Sequence, residues 1–241
     1  MTQPNAPTYD AIGDVHGCVD ELHELLAKLG YENGAHPDGR QVIFLGDLVD
    51  RGPDSPGVLK IAMRMVHLGS AIAIRGNHEE KLIRALTRPG AAYRHGLELT
   101  MQQLDAENFT FRQHVREFCE RMPHHLVLDD GRLVLAHAGL AEHLHGLDTG
   151  KARAFALFGD TTGGVDEYGL PVRLPWQNDY RGDATVVYGH TPVRDAVWTN
   201  NTICLDTGCV FGGTLSALRY PERELVQVDA EREWYPPSRP F

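Results

Sequence analysis

Val42-Ile43-Phe44-Leu45-Gly46-Asp47-Leu48-Val49-Asp50-Arg51-Gly52-Pro53 reads as a strand that ends in chemistry. Four consecutive apolar residues predict a buried strand, and Gly46 stops it so that Asp47 emerges at the C-terminal edge, where α/β sheets place their functional groups. Two similar endings flank it: Tyr9-Asp10-Ala11-Ile12-Gly13-Asp14-Val15-His16-Gly17 before, and Ala71-Ile72-Ala73-Ile74-Arg75-Gly76-Asn77-His78-Glu79 after. Each delivers oxygen or nitrogen ligands straight after a glycine.

Each of these strands is followed by helical periodicity. Leu22, Leu25, Leu26 and Leu29 recur at helical spacing before Gly30; Val58, Leu59, Ala62, Met65 and Val66 do so between Pro53 and Gly69; Leu82, Ile83 and Leu86 follow the Asn77-His78 loop. Three successive βα units are therefore expected. Residues 87–121 turn helical and more polar, with a break at Pro89-Gly90 and helices over 97–104 and 109–121, which predicts a cap inserted between core strands. His125-Leu126-Val127-Leu128 and Leu133-Val134-Leu135-Ala136 read as a hairpin that ends on His137. Residues 140–183 hold a short helix near 152–158 and then a Gly-, Pro- and Tyr-rich loop, long enough to suggest binding. Strands resume over 185–188, closing on Gly189-His190, and continue over 202–206, 215–218 and 225–228. Beyond Ala230 the Pro-rich tail is expected to pack loosely or fray.

Composition bounds the rest. A chain of 241 residues with 42% hydrophobic content suits one domain, with its core over about 8–229 and flexible tails at both ends. No apolar run approaches the roughly 18 residues of a membrane span, and the polar start is no signal peptide, so a cytoplasmic protein without a membrane partner is expected. Cys18, Cys119, Cys204 and Cys209 form no C-x-x-C pair and are read as reduced thiols. A formal net charge of −10 argues against a duplex nucleic-acid surface. It leaves room for a small phosphoester, a nucleotide or a single-stranded nucleic-acid end held by a few local arginines.

Collecting the residues at strand ends gives Asp14, His16, Asp47, Asn77, His137 and His190, a set of oxygen and nitrogen donors suited to two divalent cations. Two metals about 3.5 to 4 Å apart need a shared carboxylate, and Asp47 is the natural bridge. Asp14 and His16 then complete one metal, and Asn77, His137 and His190 the other. Such a pair neutralises phosphoryl charge and lowers the pKa of a bound water from 15.7 toward about 7, so that water attacks in line. Manganese is expected first, with iron, zinc, cobalt or nickel possible. A lone Gly-Asp is more often a turn and a lone buried histidine more often structural. Six such residues, each after a strand and nearly all beside a glycine, are better explained together as a site.

Gly13-Asp14-Val15-His16-Gly17, Gly46-Asp47-Leu48-Val49-Asp50-Arg51-Gly52, Gly76-Asn77-His78-Glu79, His137-Ala138-Gly139 and Gly189-His190-Thr191-Pro192 resemble the calcineurin-like metallophosphoesterases, and more narrowly their phosphoprotein-phosphatase branch. The resemblance spans Tyr9 to about Val228. It implies a four-layer α/β/β/α sandwich and metal ligation by the same six residues, and it adds His78 as general acid, Asp50 as its partner and Arg51 as phosphate clamp. Within the branch, Asp160-Thr161-Thr162-Gly163, Gly169-Leu170-Pro171-Val172-Arg173 and the segment from Cys204 to Gly213 look like the phosphatase module of bacterial polynucleotide kinase-phosphatases; small bacterial and phage protein phosphatases come next. No Gly-x-x-x-x-Gly-Lys-Ser/Thr loop stands beside it. The implied function is a dimetal phosphatase or phosphodiesterase acting on nucleotide-like or end-phosphate substrates, with Arg173 or Arg181 as a second phosphate contact. Alternatives are a serine/threonine protein phosphatase, a dinucleoside tetraphosphate hydrolase and a non-catalytic metal-binding scaffold. The tetraphosphatase ranks lower because symmetrical enzymes of that kind typically lack the aspartate that stands here as Asp50.

Overall fold

The computed structural model describes residues 7–88 and 93–239. The expected Pro89-Gly90 break and most of the N-terminal tail lie outside them. Three βα units open the fold: β1 (Tyr9–Ile12) and α1 (Val19–Leu29), β2 (Gln41–Phe44) and α2 (Ser55–His67), β3 (Ala71–Ala73) and α3 (Asn77–Thr87). Helices α4 (Leu97–Asp105) and α5 (Phe109–Arg121) follow, then the hairpin β4 (His125–Leu128) and β5 (Leu133–Ala136), and α6 (Gly150–Phe158). The chain continues through β6 (Thr161–Val165), β7 (Pro171–Arg173), β8 (Thr185–Tyr188), β9 (Trp198–Thr199), β10 (Thr202–Cys204), β11 (Thr214–Tyr220) and β12 (Glu224–Asp229).

Two five-stranded sheets result, in the orders β12-β11-β1-β2-β3 and β4-β5-β8-β10-β9. In the first sheet β1, β2 and β3 run parallel, and in the second β5, β8 and β10 do. Why they stack is visible in β2, whose successive side chains point to opposite faces. Val42 and Phe44 join the core beneath α1 to α5, while Ile43 and Leu45 join Leu133, Leu135, Val187, Ile203 and Leu205 between the sheets. On the far side Val134, Ala136 and Val186 meet Ala152 and Ala156 of α6. The four layers are thus helices, sheet, sheet, helix, as the resemblance implies.

Three expectations need correction. The insertion read as a cap is helical, but Leu97, Leu104, Val115 and Cys119 are buried in the main helix-side core, so α4 and α5 extend the outer layer alongside α2 and α3. The stretch read as a binding loop contains a two-stranded antiparallel ribbon, β6 with β7. The tail read as loose makes specific bonds. The amide of Glu231 and the indole of Trp234 donate to Glu21 Oε1 at 3.1 and 2.9 Å, and Arg239 pairs with Asp166 of the ribbon region at 3.1 Å. All four cysteines are buried and free, and no helix among the described residues is long and apolar enough to cross a membrane.

One close approach lies on the second sheet's outer face. Trp176 lies against Gly139, where a Cβ would stand 2.0 Å from Trp176 Cζ2 and where φ is +88°. Gly139→Ala should therefore combine overpacking with left-handed strain and destabilise the fold by about 3 kcal/mol, read as a lower denaturation midpoint.

Candidate metal centre

Strands β1, β2, β3, β5, β8 and β10 all end at one edge of the sandwich, and each end presents a polar residue there: Asp14, Asp47, Asn77, His137, His190 and Asp206. The turn after β2 is tight. Gly46 has φ +89°, and a Cβ there would meet Gly76 N at 2.5 Å, so the Asp47 and Asn77 loops can lie side by side only with glycine at this position. His16, Asp47, Asp50, Arg51 and His190 have φ between 46° and 76°, the left-handed region that non-glycine residues avoid. Such strain concentrates at functional sites because the surrounding structure must hold it in place.

Asp47 is the centre of the cluster. Its Oδ2 lies 3.6 Å from His16 Nε2 and 3.8 Å from His78 Nε2, while Oδ1 lies 3.3 Å from His137 Nε2 and accepts the His78 amide at 3.0 Å. Asn77 Oδ1 and His190 Nδ1 complete the second group, 2.9 and 3.0 Å from His137 Nε2. Asp14 enters from behind: its carboxylate accepts the His190 amide at 3.1 Å. Five of the expected six thus gather with Asp47 at their centre, and Asp14, read with His16 from the sequence, instead joins through the His190 amide on the other side.

The donor chemistry fits a pair of divalent cations. His16 Nδ1 donates to Val49 O at 2.7 Å and His137 Nδ1 to Leu45 O at 2.9 Å, which leaves both Nε2 atoms aimed at Asp47 as metal-type donors. Burial works against the Asp47 charge, yet His137, His78 and His16 together hold its carboxyl well below the usual range. Burial likewise opposes protonation of His137, and Asp47 overcomes this and holds its pKa up to about 9. A place that attracts a proton this strongly would attract a cation. Burial first and then Asp206 raise Asp14 well above the carboxylate range, and Asp206 is itself pushed up to about 6 mainly by desolvation; two neighbouring acids call for positive charge beside them.

His78 stands on the His16 side. His78 Nδ1 meets Asp50 Oδ2 at 2.5 Å, and Arg51 reaches His16 Nε2 and His78 Nε2 with its two terminal nitrogens, at 2.6 and 3.1 Å. Asp50 is fully buried, pushed up to about 7 by desolvation, and its Oδ1 has no partner among the described residues. Burial first, then Arg51 and Lys81, press the His78 pKa well down against the pull of Asp47.

Several contributors escaped the sequence reading. Glu79 accepts the amides of Asp47, Leu48 and Gly76 at 2.8, 2.8 and 2.9 Å and so ties two ligand loops together. Thr100 of α4 accepts the Asp50 amide at 3.0 Å, which gives the supposed cap a supporting role beneath the site. Lys81, His95 and Arg239 join Arg51 and Arg173 in lining a cavity of about 300 Å³ over Asp47, Asn77, His78 and His190. Arg173 reaches His190 Nε2 at 2.8 Å, and its Nε has no partner among the described residues. Arg181 is not brought there: it donates to Asn178 O and Tyr180 O and lines a separate cavity. Lys81 follows His78 by three positions on α3, so helical spacing could have found it; nothing in the sequence marks Arg239. Glu79→Ala is expected to leave three buried amides without an acceptor and to lower stability by about 3 kcal/mol, more than Glu79→Gln does, as denaturant titration would read.

The calcineurin-like phosphoesterase model matches residues 8–223 of the chain. The bis(5'-nucleosyl)-tetraphosphatase PrpE [asymmetrical] of Anoxybacillus flavithermus is 45% identical, over 97% of this chain and 99% of its own length. The protein of that name from Oceanobacillus iheyensis is 44% identical over 91% of each. Among solved structures, one described provisionally as a diadenosine tetraphosphatase aligns with a TM-score of 0.68 at 25% identity, over 95% of this chain and 96% of that one.

Proposed function

The chain belongs to the calcineurin-like phosphoesterase family and is a phosphoester hydrolase, and we propose that its substrate is a dinucleoside tetraphosphate cut into unequal parts. The observation that carries this reading is the concentration of positive charge. A chain with formal net charge −10 gathers Arg51, Lys81, Arg173 and Arg239 in the cavity over the cluster. A single phosphate monoester does not need so many cations; a run of linked phosphates, each carrying charge, does. The names of the relatives point the same way. Together they move the tetraphosphatase ahead of the nucleotide end-phosphate that the sequence motifs favoured, and ahead of a protein phosphatase. The reservation drawn from Asp50 concerned symmetrical enzymes, whereas these relatives are named asymmetrical.

Bound between the two donor sets, divalent cations, manganese foremost, would supply neutralising charge and an acidified water. Asp47 holds the two donor sets together. Arg51 and Arg173 offer planar forks of N–H donors to phosphate oxygens on opposite sides of the cluster. His78 stands over Asp47 with its Nε2 available to give a proton to a departing oxygen, and Asp50 fixes the ring and balances the imidazolium. The negative phosphates offset the Arg51 and Lys81 charges that depress His78, so the pair is best able to carry its proton once substrate is in place.

A manganese-supplemented panel tests the proposal: diadenosine tetraphosphate, p-nitrophenyl phosphate and its bis ester, a 2′,3′-cyclic nucleotide and a phosphopeptide. The tetraphosphate should give the highest kcat/KM, with AMP and ATP as products. A higher value on the phosphopeptide than on every nucleotide would reverse the ranking.

A further inference from the structure

The groove over the cluster does not end at His190. A second cavity, also about 300 Å³, shares Arg173, His190 and Arg239 with the first. Their walls differ in kind. Beyond the cluster the first carries Lys81 together with the rings of Phe158 and Phe211, whereas the second adds no lysine or arginine of its own. It offers instead the rings of Trp176 and Tyr188, with centroids 5.2 Å apart, and the side chains of Gln177 and Asp160, which make no hydrogen bond or ion pair among the described residues. Aromatic surface edged by a few unengaged polar groups is what a nucleobase requires, and a phosphate run does not.

We infer that the second cavity holds the nucleoside attached to the phosphorus under attack, while the Lys81 and His95 side carries the longer run of phosphates. This rests on the tetraphosphatase reading. Unequal cleavage then follows from position. His190 of the cluster lines both cavities, so the phosphorus next to the nucleoside lobe, and not the central bond, is presented to the cluster. Gln177 offers a donor and an acceptor to a base edge and Asp160 accepts from an exocyclic amino group, which a base such as adenine supplies. In the step itself a water oxygen bonds to that phosphorus and the bond to the bridging oxygen breaks. The electron pair leaves on the bridging oxygen, which becomes the terminal oxygen of the nucleoside triphosphate, and the water proton passes to solvent. The water oxygen ends in the monophosphate.

The test uses manganese-loaded wild type, the Asp160→Ala/Gln177→Ala double variant, which removes the polar anchors, and Val193→Phe, which fills the lobe. Binding of AMP and of ribose 5-phosphate is measured by calorimetry, and diadenosine tetraphosphate is hydrolysed in ¹⁸O water. Wild type should prefer AMP about ten-fold or more and both variants should lose that preference. The variants' kcat/KM on the tetraphosphate, each referred to p-nitrophenyl phosphate on the same protein, should fall about ten-fold, and the label should appear in AMP. Equal binding of AMP and ribose 5-phosphate by wild type, an undiminished preference in both variants, or label in ATP would each overturn the inference. A wild type inert on the tetraphosphate, yet with an AMP preference that both variants lose, would sink the tetraphosphatase reading and keep the nucleoside lobe.

Discussion

Replacing Asp47 by asparagine is expected to slow hydrolysis by about a thousand-fold and to reduce bound manganese from about two ions per chain to one or fewer. The carboxylate faces His16 and His78 with Oδ2 and His137 with Oδ1. An amide has one oxygen, and the His78 amide, 3.0 Å from Oδ1, holds that oxygen on the His137 side. The new NH₂ group then points at His16 Nε2, where a donor to a cation is needed. Metal charge is worth several kcal/mol at a phosphoryl centre; a loss of about 4 kcal/mol, at 1.36 kcal/mol per factor of ten, is a thousand-fold. The fold should survive, because the Asp47 amide stays bonded to Glu79. Metal analysis alongside initial rates decides it. A wild type fully active with a single ion in excess manganese would remove the two-metal reading on which the estimate stands.

What the sequence disclosed and what it hid divide along physical lines. Strands buried on both faces announce themselves by apolar runs, so Val42 to Leu45 and Leu133 to Ala136 were legible, and with them the ligands placed just after each strand. The ribbon was not, because every residue from Thr161 to Val165 is exposed and includes Gly163 and Gly164, so no apolar alternation marks it. Helices α4 and α5 were legible as helices, but spacing does not say which layer an apolar face will join; Leu97, Leu104 and Val115 found the outer core. Arg173 and Arg181 were equivalent on paper. They separate only because backbone carbonyls at 178 and 180 take the Arg181 guanidinium, while Arg173 reaches His190. The left-handed conformations of His16, Asp47, Asp50, Arg51 and His190 are a tertiary property with no signature in residue type.

His78→Ala should give losses that depend on the leaving group. His78 Nδ1 is fixed by Asp50 at 2.5 Å, so only Nε2 can serve the departing oxygen, and it faces the cavity beside Arg51. Asp50 holds Nδ1–H and balances the imidazolium, so the proton that Nε2 delivers is the ring's second one, taken up once substrate phosphates offset the burial and the Arg51 and Lys81 charges that press His78 down. An alkoxide needs that proton, whereas p-nitrophenolate and the terminal oxygen of a nucleoside triphosphate hardly do. General acid catalysis is typically worth about 10²- to 10⁴-fold. His78→Ala should therefore cost about that much on a ribose or alkyl phosphate and less than about ten-fold on p-nitrophenyl phosphate or the tetraphosphate, with Asp50→Asn milder in the same pattern. If His78 serves only to position Asn77 in the metal shell, its loss should instead fall equally on all substrates and weaken manganese binding. Rates on an alkyl phosphate and on p-nitrophenyl phosphate at saturating manganese separate the two, and a loss independent of leaving group would withdraw the acid assignment and leave His78 a purely structural neighbour of Asn77.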